Sequence, residues 1–274
     1  PRRRGDGVSV LQPDALALAS PLARRNPTVK LALLFVVSAV LLLVLDPVTP
    51  AVLYVVVTGA VLVGAGVRPR ALVVAQLPFV AFAVGVLVVN MLSRPGEVVW
   101  EGAGLRVTSE GVWVGAGLAG RTLLMGLLSV AFVATTDGVA LVTSLHQHAR
   151  LGAKVTFAVL AGYRLLQQMG AEWQTILRAQ AVRAPLGRRG RPRLGLRGHA
   201  ASAFALLVGS VRRGDRVAGT LELRGLGDGE RTTWRPVPLG RRDVVFAAAV
   251  LGVLGVVLAG ASAAGVLEGP GALF

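Results

Sequence analysis

Five long apolar runs dominate this chain and leave few folds open to it. They are "VKLALLFVVSAVLLLVL" (29–45), "PAVLYVVVTGAVLVGAGV" (50–67), "ALVVAQLPFVAFAVGVLVVNML" (71–92), "GVWVGAGLAGRTLLMGLLSVAFVATT" (111–136) and "VVFAAAVLGVLGVVLAGASAAGVL" (244–267). A helix that crosses a bilayer needs about 20 mostly apolar residues, so each run reads as a span, the first two short enough to tilt little. "DPVTP" (46–50) reads as the turn between those two, since its prolines bracket a threonine. The expected fold is an all-α polytopic membrane protein with about five transmembrane helices. Its expected parts are a cytoplasmic N-terminal segment (1–28), four spans (29–136), a cytoplasmic module of long helices (137–243), a fifth span (244–267) and an extracellular tail (268–274).

Charge orients the spans. With the N terminus in the cytoplasm, six Lys/Arg fall at or before Lys30, two at Arg68 and Arg70, and eighteen between residues 137 and 243. That is 26 of the 29 basic residues, with Arg94 and Arg106 outside and Arg121 within a span. The positive-inside rule selects this orientation and sends the C terminus to the extracellular side. The net charge of +15 follows from membrane orientation, and without an aromatic-rich basic surface or zinc-ligand spacing it does not point to nucleic acid. No apolar stretch precedes Leu31, so no secretory signal peptide is expected.

The insert at 137–243 has a helical pattern. Val155, Val159, Gly162, Leu166, Met169, Trp173, Ile176 and Gln180 follow steps of three and four, one stripe on a helix of about thirty residues that Pro185 stops. A second long helix is expected from near His199, with Leu207, Val211, Val217 and Leu221 on overlapping faces and Gly225 at its C-terminal cap. A shorter helix is expected at 138–150, with Asp137 as its cap. "GRRGRPRLGLRG" (187–198) holds five arginines and four glycines and reads as a loop near lipid phosphates. The long helices end alike, on Val182, Arg183, Ala184 and on Leu223, Arg224, Gly225, the arginines 41 residues apart. A cation in a last turn complements the helix dipole and a following Gly is ordinary capping. Two such tips on helices longer than a connection requires also suit a pair of docking sites for similar partners.

Other residues narrow the chemistry. Arg121 lies ten residues inside its apolar run, where a charge needs a buried partner or a functional contact. "HQH" (146–148) places two imidazoles on different helix faces without a carboxylate or Cys cluster, which does not make a metal site. No G-x-x-x-x-G-K-S/T pattern occurs, so ATP binding by this chain is not expected, and the glycines of "GLGDGE" (225–230) make a turn. With no cysteine there is neither a disulfide framework nor a thiolate metal site.

Four segments in order resemble a known family, the transmembrane T component of energy-coupling factor transporters, which includes the permease subunits of cobalt and biotin systems. "SPLARRNPTVKLALL" (20–34), with Pro27 and Lys30, resembles the approach to the family's first span. "SEGVWVGAGLAGRTLLMGLLSVAFVATTD" resembles its later span with an intramembrane arginine and a closing Thr pair. "ILRAQAVRA" and "TLELRGLGDGERT" resemble its two arginine signatures. The resemblance implies a transporter in a bacterial-type plasma membrane, with two ABC-type ATPases, a small membrane S component that binds a vitamin or metal ion, and this subunit coupling them. It implies no cofactor in this chain, ATP and Mg being bound by the partner ATPases. Val182, Arg183, Ala184 and Leu223, Arg224, Gly225 are then the ATPase-docking tips. The sequence departs from the family's Gly at Ala184, and from its common Ala at Val182 and Leu223; Ala184 is still small enough to permit close approach, and Arg183→Glu is expected to impair ATPase assembly less completely than Arg224→Glu because of Ala184.

Two other classes compete. One is a polytopic membrane enzyme acting on lipid or isoprenoid head groups at the basic cytoplasmic face. Against it, the insert has only six acids besides Asp243, and none forms a catalytic pair. The other is a stand-alone transporter or channel, disfavoured because the spans lack clear repeats and, apart from Arg121, ionisable residues that would mark a path.

Overall fold

The computed structural model of the chain describes residues 20–102, 105–185, 194–226 and 236–265. Its elements are α1 (Pro27–Leu42), α2 (Val48–Gly64), α3 (Pro69–Ser93), β1 (Val98–Gly102), β2 (Leu105–Thr108), α4 (Ser109–Thr135), α5 (Gly138–His148), α6 (Ala153–Arg183), α7 (Leu196–Leu223) and α8 (Arg241–Ala263). Every apolar run is therefore helical, as a bilayer demands of a chain that must pair its own backbone groups. α3, α4 and α8 are long and apolar enough to span. α1 and α2, at 16 and 17 residues, are roughly 24–26 Å long at 1.5 Å per residue. They fall short of a hydrocarbon core of about 30 Å, a mismatch that flanking residues or local thinning absorbs.

The elements form two units, one of Pro1–Asp137 with Pro238–Phe274 and one of Gly138–Val237. In the first, α4 is the central helix. Leu124 packs with Val37 and Leu41 of α1, Leu53 of α2 and Leu254 of α8, while Leu127 and Ala131 pack with Val61 of α2 and Leu72 of α3. Close approach depends on its glycines. A Cβ at Gly126 would meet the Phe79 ring at 2.4 Å, one at Gly117 the Leu45 carbonyl oxygen at 2.5 Å and one at Gly111 the Asn90 carbonyl oxygen at 2.6 Å. Small residues at helix contacts are the usual membrane solution, because lipid removes the hydrophobic drive and leaves backbone proximity to hold helices together. The outward faces stay apolar, with Phe35, Val63, Phe82 and Val256 exposed.

Three local features differ from the sequence expectation. The turn after α1 occupies residues 43–47, and Pro50 already sits in the first turn of α2, where its missing N–H leaves nothing unpaired. Between α3 and α4 lies an antiparallel hairpin, β1 with β2, irregular between Val98 and Trp100 and carrying an exposed Arg106–Glu101 pair at 2.9 Å. No strand was expected there, because apolar periodicity singles out spans and passes over a short β-branched stretch outside them. α7 starts at Leu196, three residues before His199.

In the second unit α5 packs on α6, a Cβ at Gly138 lying 3.1 Å from the Tyr163 ring. The returning chain is stapled to α5: Val237 N–H donates to Gln147 Oε1 at 2.9 Å, and His148 Nε2 donates to the Val237 carbonyl at 2.9 Å. α6 and α7 meet near their midpoints, where Arg213 bonds Glu172 at 2.7 Å across a gap left small by Gly209. Along the whole of α6 and α7 only Thr156 and Ser202 are buried.

Candidate functional site

The two arginine tips stand at the C-terminal ends of α6 and α7 and are built differently. α6 ends with Arg183 as its last residue, and Ala184 turns extended at φ −79°, ψ 145°. Its cause is Pro185, whose ring disfavours helical backbone in the residue before it. α7 ends at Leu223, with Arg224 in the cap position at φ −87°, ψ 13° and Gly225 at φ +72°. Gly225 N–H donates to the Glu222 carbonyl at 2.8 Å and Leu226 N–H to the Leu221 carbonyl at 3.0 Å. These are the paired bonds of a Schellman ending, which needs a left-handed residue at this place. The Gly225–Ala184 difference between the tips thus has a backbone origin.

Both arginines are exposed, and each follows an apolar residue that is almost fully exposed, Val182 at 87% and Leu223 at 90%. An apolar contact beside a planar cation with five donors is the combination that anchors an interface. Space is open around Gly225, with nothing within 4 Å of where a Cβ would stand. The turn at "GLGDGE" and the basic loop at 187–198 lie outside the described residues, except for Gly225, Leu226 and the stretch from Leu194 onward. α7 carries a further exposed apolar line through Leu196, Phe204, Leu207 and Val211. Leu207 and Val211, expected on faces overlapping those of Val217 and Leu221, are exposed, while Val217 and Leu221 are half-buried.

Arg121 lies elsewhere, in the first unit. Its guanidinium donates to the carbonyl of Val44, in the turn that follows α1. One turn earlier Gly117 lies against the next carbonyl, so α4 grips the α1–α2 turn with a small residue and a cation. Asp46 in that turn is fully buried and accepts from Thr49 N–H at 2.7 Å.

Lys30, noted in the sequence only for its resemblance, stands in a second polar cluster whose contacts the sequence did not reveal. Lys30 is buried and its ammonium donates to the Thr135 carbonyl at 2.8 Å, tying the first turn of α1 to the end of α4. Beside it Asn26 caps α1 by accepting from Thr28 N–H at 2.9 Å, and Asn26 N–H donates to Asp243 Oδ1 at 2.9 Å. The other oxygen of Asp243 accepts from Gly240 N–H at 2.9 Å and caps α8. Lys30 and Asp46 join Arg121 as ionisable groups within or at the ends of apolar segments, where none besides Arg121 was expected. The signal was available in "NPTVK", a capping residue, a proline and a cation one turn on.

His146 and His148 turn to separate carbonyls, those of Leu151 and Val237, so the two rings address different parts of the unit.

Comparison with known proteins bears on most of the chain. The model of a family described as "CbiQ: Cobalt transport protein" matches residues 19–234. A protein of Heliobacterium modesticaldum named energy-coupling factor transporter transmembrane protein EcfT is 29% identical over 253 residues, covering 86% of this chain and 91% of that protein. A protein of Bifidobacterium longum bearing the name of an ABC transporter ATP-binding protein is 26% identical over 253 residues, 88% of this chain. The chain spans about a third of the length of that second relative, 32%.

Proposed function

Because the chain belongs to the CbiQ family of cobalt transport proteins, multi-pass membrane components of energy-coupling factor transporters, we propose that it is the coupling subunit of such an importer. It carries the motion of two ATP-hydrolysing ABC subunits to a small substrate-binding membrane component that takes up a vitamin or a transition-metal ion. The observation that carries this reading is the pair of helices α6 and α7, 31 and 28 residues long, each ending in an exposed apolar residue and an exposed arginine. Val182, Arg183 and Ala184 on one tip, and Leu223, Arg224 and Gly225 on the other, dock into the ATPases. The Glu172–Arg213 bond at the midpoints makes the helices move together, so displacement at a tip becomes rigid-body motion.

The relatives support the division of labour. This chain has no phosphate-binding G-x-x-x-x-G-K-S/T loop, while a relative named for ATP binding matches it over only 32% of its own length. The remaining two-thirds of that polypeptide has room for ATP-binding modules fused to a subunit like this one. On this reading the chain is not an enzyme, binds no cofactor, keeps its N terminus and the Gly138–Val237 unit in the cytoplasm, and has its C terminus outside. The basic end of the first unit, with Arg24, Arg25, Arg68, Arg70, Arg241 and Arg242, is the cytoplasmic one.

Co-expression with the ABC ATPases encoded beside it tests the proposal. A purified complex whose intact mass holds two ATPase chains and a small membrane protein is the expected result, with ATP hydrolysis absent from the chain purified alone. ATP hydrolysis, lipid processing or solute uptake by the isolated chain would overturn it.

A further inference from the structure

Two cavities meet at the basic end of the first unit, and together they have the chemistry of one amphiphile. The first, about 340 Å³, is walled by Leu33 and Val37 of α1, Val57 of α2, Phe132 of α4 and Phe246 of α8, and carries only Arg25 and Lys30 as charges. The second, about 670 Å³, is lined by Arg24, Arg25, Arg241 and Arg242, with Asp243 as its acid. Pro21 and Arg25 line both. Both volumes fall in the range of roughly 300–1,000 Å³ typical of ligand sites.

Charge decides what fits. Asp243 already accepts from Asn26 N–H and Gly240 N–H, and none of the four arginines forms an ion pair with a described residue. Lys30, at the boundary of the apolar cavity, is engaged by the Thr135 carbonyl. A concentrated positive charge thus stands directly beside an aliphatic and aromatic cleft. The arginines flank the starts of α1 and α8, the depth at which lipid phosphates lie against an apolar helix end. The surrounding helix faces are apolar and exposed, Phe35, Val55 and Val245 among them, so the bilayer itself supplies the occupant.

We propose that this pair of cavities binds an anionic membrane phospholipid, its phosphate held by Arg24, Arg25, Arg241 and Arg242 and an acyl chain laid between α1, α2, α4 and α8. The site rests on the membrane placement of the first unit and is independent of ATPase docking. Basic pockets between membrane helices are known to take anionic head groups, each Lys/Arg adding to binding. A lipid seated there wedges the starts of α1 and α8 in a fixed spacing.

The test uses the full chain in nanodiscs of phosphatidylcholine doped with a phosphatidylglycerol carrying a photoreactive acyl chain. Crosslinks are expected at Phe132, Phe246 and their neighbours, displaced by unlabelled phosphatidylglycerol and not by extra phosphatidylcholine. Arg25→Gln combined with Arg242→Gln should weaken labelling by roughly thirtyfold. Ala60→Phe, a change at an exposed position lining the apolar cavity, should remove the acyl crosslinks while leaving the arginines in place. Equal displacement by phosphatidylcholine, displacement by inorganic phosphate alone, or labelling unchanged in both variants would overturn the proposal.

Discussion

The tips of α6 and α7 carry the same side-chain chemistry on opposite backbones. One stops because Pro185 makes Ala184 extended; the other closes on itself through the two bonds around Gly225. The first can be built without glycine, and the second strongly favours it. Glycine in such a signature therefore has two separable meanings, a left-handed cap and a surface with no side chain in the way. At Ala184 the first demand is absent, and the methyl group tests only the second.

Reversing both charges, Arg183→Glu with Arg224→Glu, is the harshest test of the comparison. Membrane insertion should survive, and ATPase co-purification and uptake should be lost together; wild-type uptake would reduce both arginines to dipole partners. Taken singly, Arg224→Glu should weaken ATPase association by about thirtyfold or more, the scale of a desolvated interface anchor. Arg183→Glu should cost less, because Arg224 projects from a closed cap with less freedom to lose on docking. Equal losses, measured by titration of the purified ATPases, would show that cap geometry does not matter.

Smaller effects separate cap from surface. Gly225→Ala forces an L side chain to φ +72° and should destabilise the last turn of α7 by about 1–2 kcal/mol, read as faster amide exchange at residues 220–226. Ala184→Gly should leave exchange and ATPase affinity within about twofold, since the extended backbone there already accepts alanine; a large gain in affinity would mean that the methyl obstructs docking. Arg213→Ala, which breaks a partly exposed ion pair worth about 0.5–1 kcal/mol, should spare ATPase association and lower uptake. Loss of association instead would place the midpoint contact in docking rather than in transmission.

The class of fold was legible because apolar runs of spanning length admit only helices, and a cap such as Gly225 and a stop such as Pro185 are local chemistry. The long helix α6 emerged from its stripe and its proline within a few residues of its true ends. Long-range polar contacts were not legible. Lys30 reads as a basic residue at the start of a span until Thr135, 105 positions on, supplies its acceptor. The partner of Arg121 is a main-chain oxygen 77 residues away, which has no side-chain signature at all. The hairpin at Val98–Thr108 was missed because its strands are short and sit between stronger signals.

The cluster at Lys30 has a consequence for how such a protein can be remodelled. Lys30 holds Thr135, the last residue of α4, and Asn26 reaches Asp243 and the Pro238 carbonyl at the approach to α8. The chain therefore leaves the bundle and rejoins it at neighbouring points fastened by one short stretch of sequence. Such an arrangement is that of an inserted domain, whose host is complete without it. On the proposed docking role, the unit Gly138–Val237 is a graftable cassette: exchanged between relatives at these two points, it is expected to carry its choice of ATPase with it.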